Sequence, residues 1–414
     1  MSDPLQPYDA VVMCSYGGPR KMDDVLPFMR NATSGRGVPD ERLIEVSGHY
    51  KTYHGVSPIN ARNNEILQAL SRELSERGST IPVVIGNRNW TPFFHDVMTD
   101  LYQQGVRRVL ALFTSAYVCY SGCRQYREDL AAALEQMEEQ EMTGMVVDKA
   151  RAFSTTTGFV DSNVDAIVRG FRVEAEKGFG GRRTKLQMVT HSIPQDMFDA
   201  SGPADKTRPD YVGQHIAVCK AVVERVEKIL GHDIEWELSY CSRSGPPHIP
   251  WLEPDINDVL ERDYEQGVRS VVVSPIGFIC DHMEVVFDLD TEAAETAKNL
   301  GMSYTRADTP GDEPCFVSSL ADVLCERAAQ ARAEIEGLPS GVGVGYCRDA
   351  ATVGEDAVTV AIEVAEFADE LSVDDQWKGF QATDVVEPVW PAVSPLHDSL
   401  LRPSASFQST VCGG

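Results

Sequence analysis

Residues 92–107 read PFFHDVMTDLYQQGVR, and residues 254–269 read PDINDVLERDYEQGVR. At a constant offset, Pro, Asp, Val, Tyr, Gln, Gly, Val and Arg recur in register. Each copy has the pattern of a helix closed by a glycine, Gly105 or Gly267, where a helix C-terminus takes a left-handed residue. Each is followed by an apolar run of strand length, RRVLALFTSAY or RSVVVSPIGF. The alternation extends outward from both copies. YDAVVMCSY, NEILQALSRELSER, IPVVIGN and the helix through Tyr102 come before the first run; KLQMVTHS, HIAVCKAVVERVEKIL and DIEWELSYCS come before the second. Strands alternating with helices imply a parallel sheet covered on both faces. The chain therefore reads as α/β, with two similar Rossmann-like, doubly wound halves facing each other across a cleft. We place the first half at residues 1–165 and the second at 166–311. Beyond about Arg332 the rhythm stops. LPSGVGVGYC is loop-like, DAVTVAIEVAEFADEL fits one acidic amphipathic helix, and the end is rich in Pro and Ser. Residues 337–414 read as an acidic, partly disordered extension.

Composition narrows the function. The chain has 414 residues, 43% hydrophobic and 24% charged, enough for a sizeable core. A formal net charge of −26 argues against broad nucleic-acid binding, because a phosphate backbone wants a face rich in Lys and Arg. The start, MSDPLQPYDA, has no basic segment leading into an apolar one, and no run approaches the roughly 20 apolar residues of a membrane span. The expectation is a soluble cytoplasmic protein. The ten cysteines are scattered, several inside apolar runs, and read as buried reduced thiols.

In open parallel sheets, ligands bind beyond the carboxyl ends of the strands. Three such ends carry chemistry. VVMCSYGGP delivers Tyr16 and then turns at Gly17 and Gly18, which lets a flat ligand approach the backbone. LQMVTHSIP delivers His191. SPIGFICDHMEVVFDLDTEAAE opens a helix with a row of carboxylates. On an α-helix, Glu284, Asp288, Thr291 and Glu295 fall within roughly 60° of each other, with Glu292 at the margin and Val286, Leu289, Ala293 and Ala297 opposite. Alone, this row admits the plainer reading of a solvated face. Glu284, however, sits in the first turn after a buried strand and should face the cleft. An imidazole and a carboxylate suit a metal such as Fe²⁺, so His191 and Glu284 form the candidate metal pair, with Asp288 and Glu292 as steps on an outer path.

With these residues in hand, the chain resembles the ferrochelatase family, within it the actinobacterial coproporphyrin ferrochelatases. The matching stretches are SYGGP (15–19), SGRGVPDERL (34–43), HYKTYHGVSPIN (49–60), GNRNW (86–90), TSAYVCYSGCRQY (114–126), VTHSIP (189–194), SRSGPPHIPWLEPD (242–255) and SPIGFICDHMEVVFDLD (274–290). The resemblance implies a lyase of haem biosynthesis that inserts Fe²⁺ into coproporphyrin III, gives coproheme and releases two protons. It implies that a helix near 312–336 returns to the first half. It makes His191 and Glu284 the catalytic and metal-site pair, and places Tyr16, Ser57, Tyr126, His49 and Tyr50 against the porphyrin. Many actinobacterial members carry Phe where this chain has Tyr16. Arg36, with Arg30 and Arg124, is a candidate partner for the four propionates.

Several relatives hold a [2Fe–2S] cluster with one thiolate at the position of Cys123. Here Cys123, Cys347 and Cys412 do not make four ligands, and nothing in the spacing requires Cys315 or Cys325 to complete them. The expected partners are coproporphyrin III and ferrous iron, with transient contact to the next haem-pathway enzyme and a monomeric state. Three alternatives remain at this level: insertion into protoporphyrin IX, a cobalt or other-metal tetrapyrrole chelatase, and a non-catalytic haem- or porphyrin-binding protein. A second metal-site histidine in place of Glu284 would mark a cobalt enzyme, and single-turnover insertion separates an enzyme from a carrier. No GxGxxG or Walker-type loop follows any strand, which ranks a nucleotide-binding enzyme last.

Overall fold

The computed structural model describes residues 3–35, 38–201, 209–244 and 248–336. The first sheet is built from β1 (Ala10–Ser15), β2 (Val83–Asn87), β3 (Arg108–Phe113) and β4 (Val146–Lys149). With it go α1 (Met22–Ala32), α2 (Asp40–Lys51), α3 (Ile59–Glu76), α4 (Phe94–Gln103) and α5 (Gln125–Glu139). Helix α6 (Thr157–Glu176) leads to the second sheet, β5 (Lys185–His191), β6 (Trp236–Cys241), β7 (Ser270–Ser274) and β8 (Ser303–Arg306). Its helices are α7 (Gln195–Ala200), α8 (Tyr211–Leu230), α9 (Ile256–Glu265) and α10 (Ala294–Leu300), and α11 (Pro314–Ile335) closes the described chain. Both sheets are wholly parallel, and their orders, β2-β1-β3-β4 and β6-β5-β7-β8, are the same order repeated. β1 and β7 are buried at every residue, and β5 at every residue but His191, as near-continuous apolar runs between helix layers should be.

The repeated sequence is a repeated structure. α4 and α9 occupy equivalent positions, each ends at a left-handed glycine (Gly105, φ +93°; Gly267, φ +96°), and β3 and β7 follow. The repeated Tyr and Arg make the same contacts in both copies. Arg107 lies 3.7 Å over the Tyr102 ring and Arg269 4.1 Å over that of Tyr264, and each guanidinium donates to the carbonyls of that tyrosine and of the valine before the arginine. The last carbonyls of the helix are thereby capped and the turn into the strand is held.

One apolar core joins the two sheets. Leu110 and Leu112 of β3 share it with Leu186 and Met188 of β5, Phe159 of α6 and Phe316 of α11. The outer faces are closed separately, by Met98 and Leu130 over the first sheet and Ile256 and Leu260 over the second. α6 crosses the division drawn at residue 165 without a break, because its apolar face is needed on both sides. It packs on α11, α8 and β7. Helix α11 returns to α3, where Arg77 bonds Asp322 at 2.6 Å and the Ser318 carbonyl at 3.0 Å. Among the described residues no helix is long and apolar enough to cross a membrane. The extension at 337–414 lies outside the described residues.

The α6–α11 contact needs Gly158. A Cβ there would lie 1.9 Å from the Cys315 carbonyl oxygen, in backbone that cannot give way locally. Gly158→Ala should therefore cost about 2–3 kcal/mol by overpacking. Urea unfolding should show a lower midpoint at unchanged slope; an unchanged midpoint would mean that this contact is soft.

Candidate active site

The carboxyl ends of the two sheets meet. Tyr117, beyond β3, donates its hydroxyl to the Ile276 carbonyl beyond β7 at 3.2 Å, and the Val118 N–H reaches Gln214 Oε1 of α8 at 2.9 Å. Tyr16 leaves β1 at this edge, His191 ends β5, and Glu284 follows the loop after β7. A buried network supports His191 from behind. Tyr211 Oη donates to the His191 carbonyl (3.1 Å) and contacts Thr190 Oγ1 (3.0 Å), which also contacts His215 Nε2 (2.9 Å).

His191 and Glu284, expected as a pair, face each other, with Nε2 3.7 Å from Oε1. The other imidazole nitrogen, Nδ1, is bonded to the Ser192 carbonyl. A carbonyl only accepts, so Nδ1 carries the hydrogen and neutral His191 keeps its Nε2 lone pair toward Glu284 and the cleft. Glu284 also meets a residue that the sequence reading passed over. His282 Nδ1 lies 3.3 Å from its Oε2, so the carboxylate is bracketed by two imidazoles. The Glu284 side chain is 48% exposed; its partial desolvation among protein groups would raise its pKa, but the histidines outweigh that and bring it down to about 2. Burial would depress His191, yet the facing carboxylate raises it above its ordinary value. His282 goes the other way, lowered by burial and by His191.

The helix carrying Glu284 differs from the expected α-helix. Val285–Ala293 form a π-helix, with more residues to each turn. The buried stripe is therefore Val285, Leu289, Ala293 and Ala297, residues four apart, and Val286 is only partly buried. Thr291 leaves the carboxylate row and contacts Tyr53 Oη at 2.8 Å. Asp288 stays near Glu284 and hydrogen-bonds Ser242. Burial, reinforced by the charge of Glu284, pushes Asp288 up to about 7. Ser242 sits at φ +64°, a costly backbone for a non-glycine residue, and that geometry brings its hydroxyl to Asp288. Glu292 is exposed. Glu295 is exposed as well.

The opposite wall comes from the first half. Tyr16 is 36% exposed and meets Phe28 edge-on at 6.1 Å. Tyr50 packs edge-on against the same Phe28, and its phenol is held well above its ordinary pKa by burial, then by the nearby charges of Glu284 and Tyr16. His49 stacks on Phe287 at 4.0 Å across the halves. Ser57 and Tyr126 are buried, Ser57 beneath the Gly18 turn and Tyr126 against Phe113. The glycines make room for protein at this turn. A Cβ at Gly17 (φ +77°) would lie 2.8 Å from Asn87 Cβ, and one at Gly18 2.7 Å from Ser57 Cβ.

Arg88, also passed over in the sequence, lies 4.7 Å over Tyr126 and 5.9 Å from the Tyr16 ring, and is ion-paired to Asp129. An arginine one residue past the carboxyl end of β2 was the available signal, and its burial shows only in the structure. Arg30 is exposed and pairs with Asp40, and Arg124 is buried with Glu128. Arg36 lies outside the described residues. Cys123 is buried beyond Cys119, and Cys347 and Cys412 lie outside the described residues. Among the described residues no three His, Cys, Asp or Glu side chains converge to hold a metal, so the described cysteines do not form a cluster site by themselves.

A family model described as Ferrochelatase matches residues 8–328. The chain is 46% identical over 331 residues to the coproporphyrin III ferrochelatase of Streptomyces coelicolor, covering 79% of this chain and 88% of that protein. It is 44% identical over 337 residues to the coproporphyrin III ferrochelatase of Tropheryma whipplei, covering 80% and 83%. It is 40% identical over 324 residues to a ferrochelatase of Rhodopirellula baltica, covering 78% and 87%.

The coupling of His191 to Glu284 is open to direct measurement. Glu284→Gln removes the charge that does most to raise His191 and leaves burial opposed only by the Ser192 carbonyl and Asp288. NMR titration of the His191 ring should give a pKa above the ordinary histidine value in the unaltered protein and a lower one in the variant. Equal values in the two proteins would assign the shift to another group.

Proposed function

The chain belongs to the ferrochelatase family, and on that premise we propose that it inserts Fe²⁺ into coproporphyrin III in the cleft between its two halves, with His191 and Glu284 at the metal site. One observation carries this assignment. An ionised carboxylate faces an imidazole whose Nδ1–H is already committed, at the edge where the two sheets meet. Iron is a substrate in this reaction. The porphyrin enters with two pyrrole N–H groups and leaves as a dianion holding Fe²⁺, so two protons must be taken up.

His191 Nε2 accepts a pyrrole proton, and Glu284 stabilises the imidazolium that results. Glu284, ionised throughout the neutral range, draws Fe²⁺ toward the site. Asp288, pushed up to about 7, can gain or lose a proton near neutral pH and suits the next position in proton release. Tyr16 and Tyr50 supply an aromatic wall for the macrocycle. No step requires a [2Fe–2S] cluster.

Anaerobic mixing of the protein with Fe²⁺ and either coproporphyrin III or protoporphyrin IX, followed in the visible spectrum, tests the substrate. Faster insertion into coproporphyrin III is expected, and preference for protoporphyrin IX would overturn that choice. His191→Ala should slow insertion about 10²- to 10⁴-fold at saturating iron; a rate close to wild type would remove His191 from the proton step.

The pH dependence has a definite sign. Nε2 must be unprotonated to act, so the rate falls as pH drops through the His191 pKa, which is raised above its ordinary value. In Glu284→Gln the residual rate should lose this limb only at lower pH, whereas a limb fixed in place would point to a different base.

A further inference from the structure

The nine-residue π-helix at Val285–Ala293 poses a physical question, because π-helices occur mostly as single turns inside α-helices. Part of the answer lies in two tyrosine hydroxyls that reach its carbonyls from outside. Tyr304 Oη donates to the Leu289 carbonyl at 2.8 Å from within the second half. Tyr53 Oη donates to the Val286 carbonyl at 2.8 Å from the first half. Tyr53 is also 2.8 Å from Thr291 Oγ1, which lies 3.3 Å from the same carbonyl. The Val286 carbonyl accepts from both hydroxyls, Tyr53 at 2.8 Å and Thr291 at 3.3 Å, so the three groups form one junction.

Tyr53 is rigidly mounted. The two residues after it, His54 (φ +53°) and Gly55 (φ +76°), are both left-handed. Gly55 lies so close to α1 that a Cβ would fall 2.3 Å from the Met22 nitrogen. The stack of His49 on Phe287, four residues earlier in the chain, runs between the same two segments.

We propose that Tyr53 is a positioning residue for metal insertion, its hydroxyl holding from the opposite half the π-turn that sets Glu284 and Asp288 toward the cleft. This rests on the functional assignment above. Tyr53 touches neither reacting atom nor metal pair; it acts through the Val286 carbonyl, two residues beyond Glu284. One hydroxyl thereby couples the separation of the cleft walls to the placement of the carboxylates.

Tyr53→Phe deletes only the hydroxyl. The loss of one such bond predicts a rise of about three- to tenfold in the KM for Fe²⁺, with the KM for coproporphyrin III within twofold of wild type. Thr291→Val should act in the same direction, and the double variant should be no worse than the worse single one, since both lose the same junction. A merely structural role would lower the unfolding midpoint without separating the two KM values. An unchanged Fe²⁺ KM in Tyr53→Phe, or effects of the two variants that multiply, would overturn the proposal while the enzyme still inserts iron. If the unaltered protein inserts no iron, the functional assignment falls and this inference falls with it.

Discussion

Helix α6 lies against the second sheet with the bare backbone of Gly170 on Val272, where a Cβ would come within 2.9 Å, and against α11 with that of Gly158 on Cys315. These two close approaches let one helix serve both halves. Through α11 and α3 the same core reaches the first sheet, so the ends of β1, β3, β5 and β7 are held as parts of one packed body. Every distance in the cleft, from the Tyr117–Ile276 bond to the Tyr53 clasp on Val286, inherits that geometry. A site made from two sheets needs such a join, because a catalytic arrangement loosened by about 1 Å loses much of its effect.

Within the cleft, neighbouring groups are driven apart in protonation. Glu284 is held near 2 and Asp288 near 7, although both are carboxyl groups on one short helical segment. His191 is raised and His282 lowered, although both face the same carboxylate. The cause is local. Glu284 has two imidazoles as partners, whereas Asp288 is raised by burial and by the charge of Glu284, which outweigh the Ser242 hydroxyl. Four groups thereby differ in proton affinity at one pH, which is what the proposed mechanism draws on for an anion, a base and a carboxyl able to gain or lose a proton. The chain's net charge of −26 is compatible with this arrangement, because these local contacts rather than the total set the potential at the site.

Much of this was legible in the residues. The echo between 92–107 and 254–269 foretold two equivalent units, and its Tyr, Gly and Arg proved to be a capping device present in both. His191 and Glu284 were visible because a polar residue at the end of a buried run has few places to go. The signal was weaker where the partner is distant in sequence. His282 looked like part of a charged row, and Arg88 looked like one basic residue in a loop. Gly17 and Gly18 read as room for a ligand, and the space is taken by Asn87 and Ser57. The carboxylate row was laid out on an α-helix, and the π-turn moved Thr291 off it and put Val285 in place of Val286 in the core.

By itself, then, the sequence determined the α/β alternation and the internal repeat, and it singled out His191 and Glu284, which the fold brings face to face. These are written in local periodicity and in residue type, which need no knowledge of what lies across the cleft. The tertiary structure decided which helix joins the halves, how the helix after Glu284 winds, and which groups set each proton affinity. Those depend on contacts between segments far apart in the chain, such as Tyr53 with Val286, Ser242 with Asp288 and Arg88 with Tyr126. A hydrogen bond or a stacked ring across such a gap leaves no periodic trace in sequence; it exists only once packing has brought the two residues together.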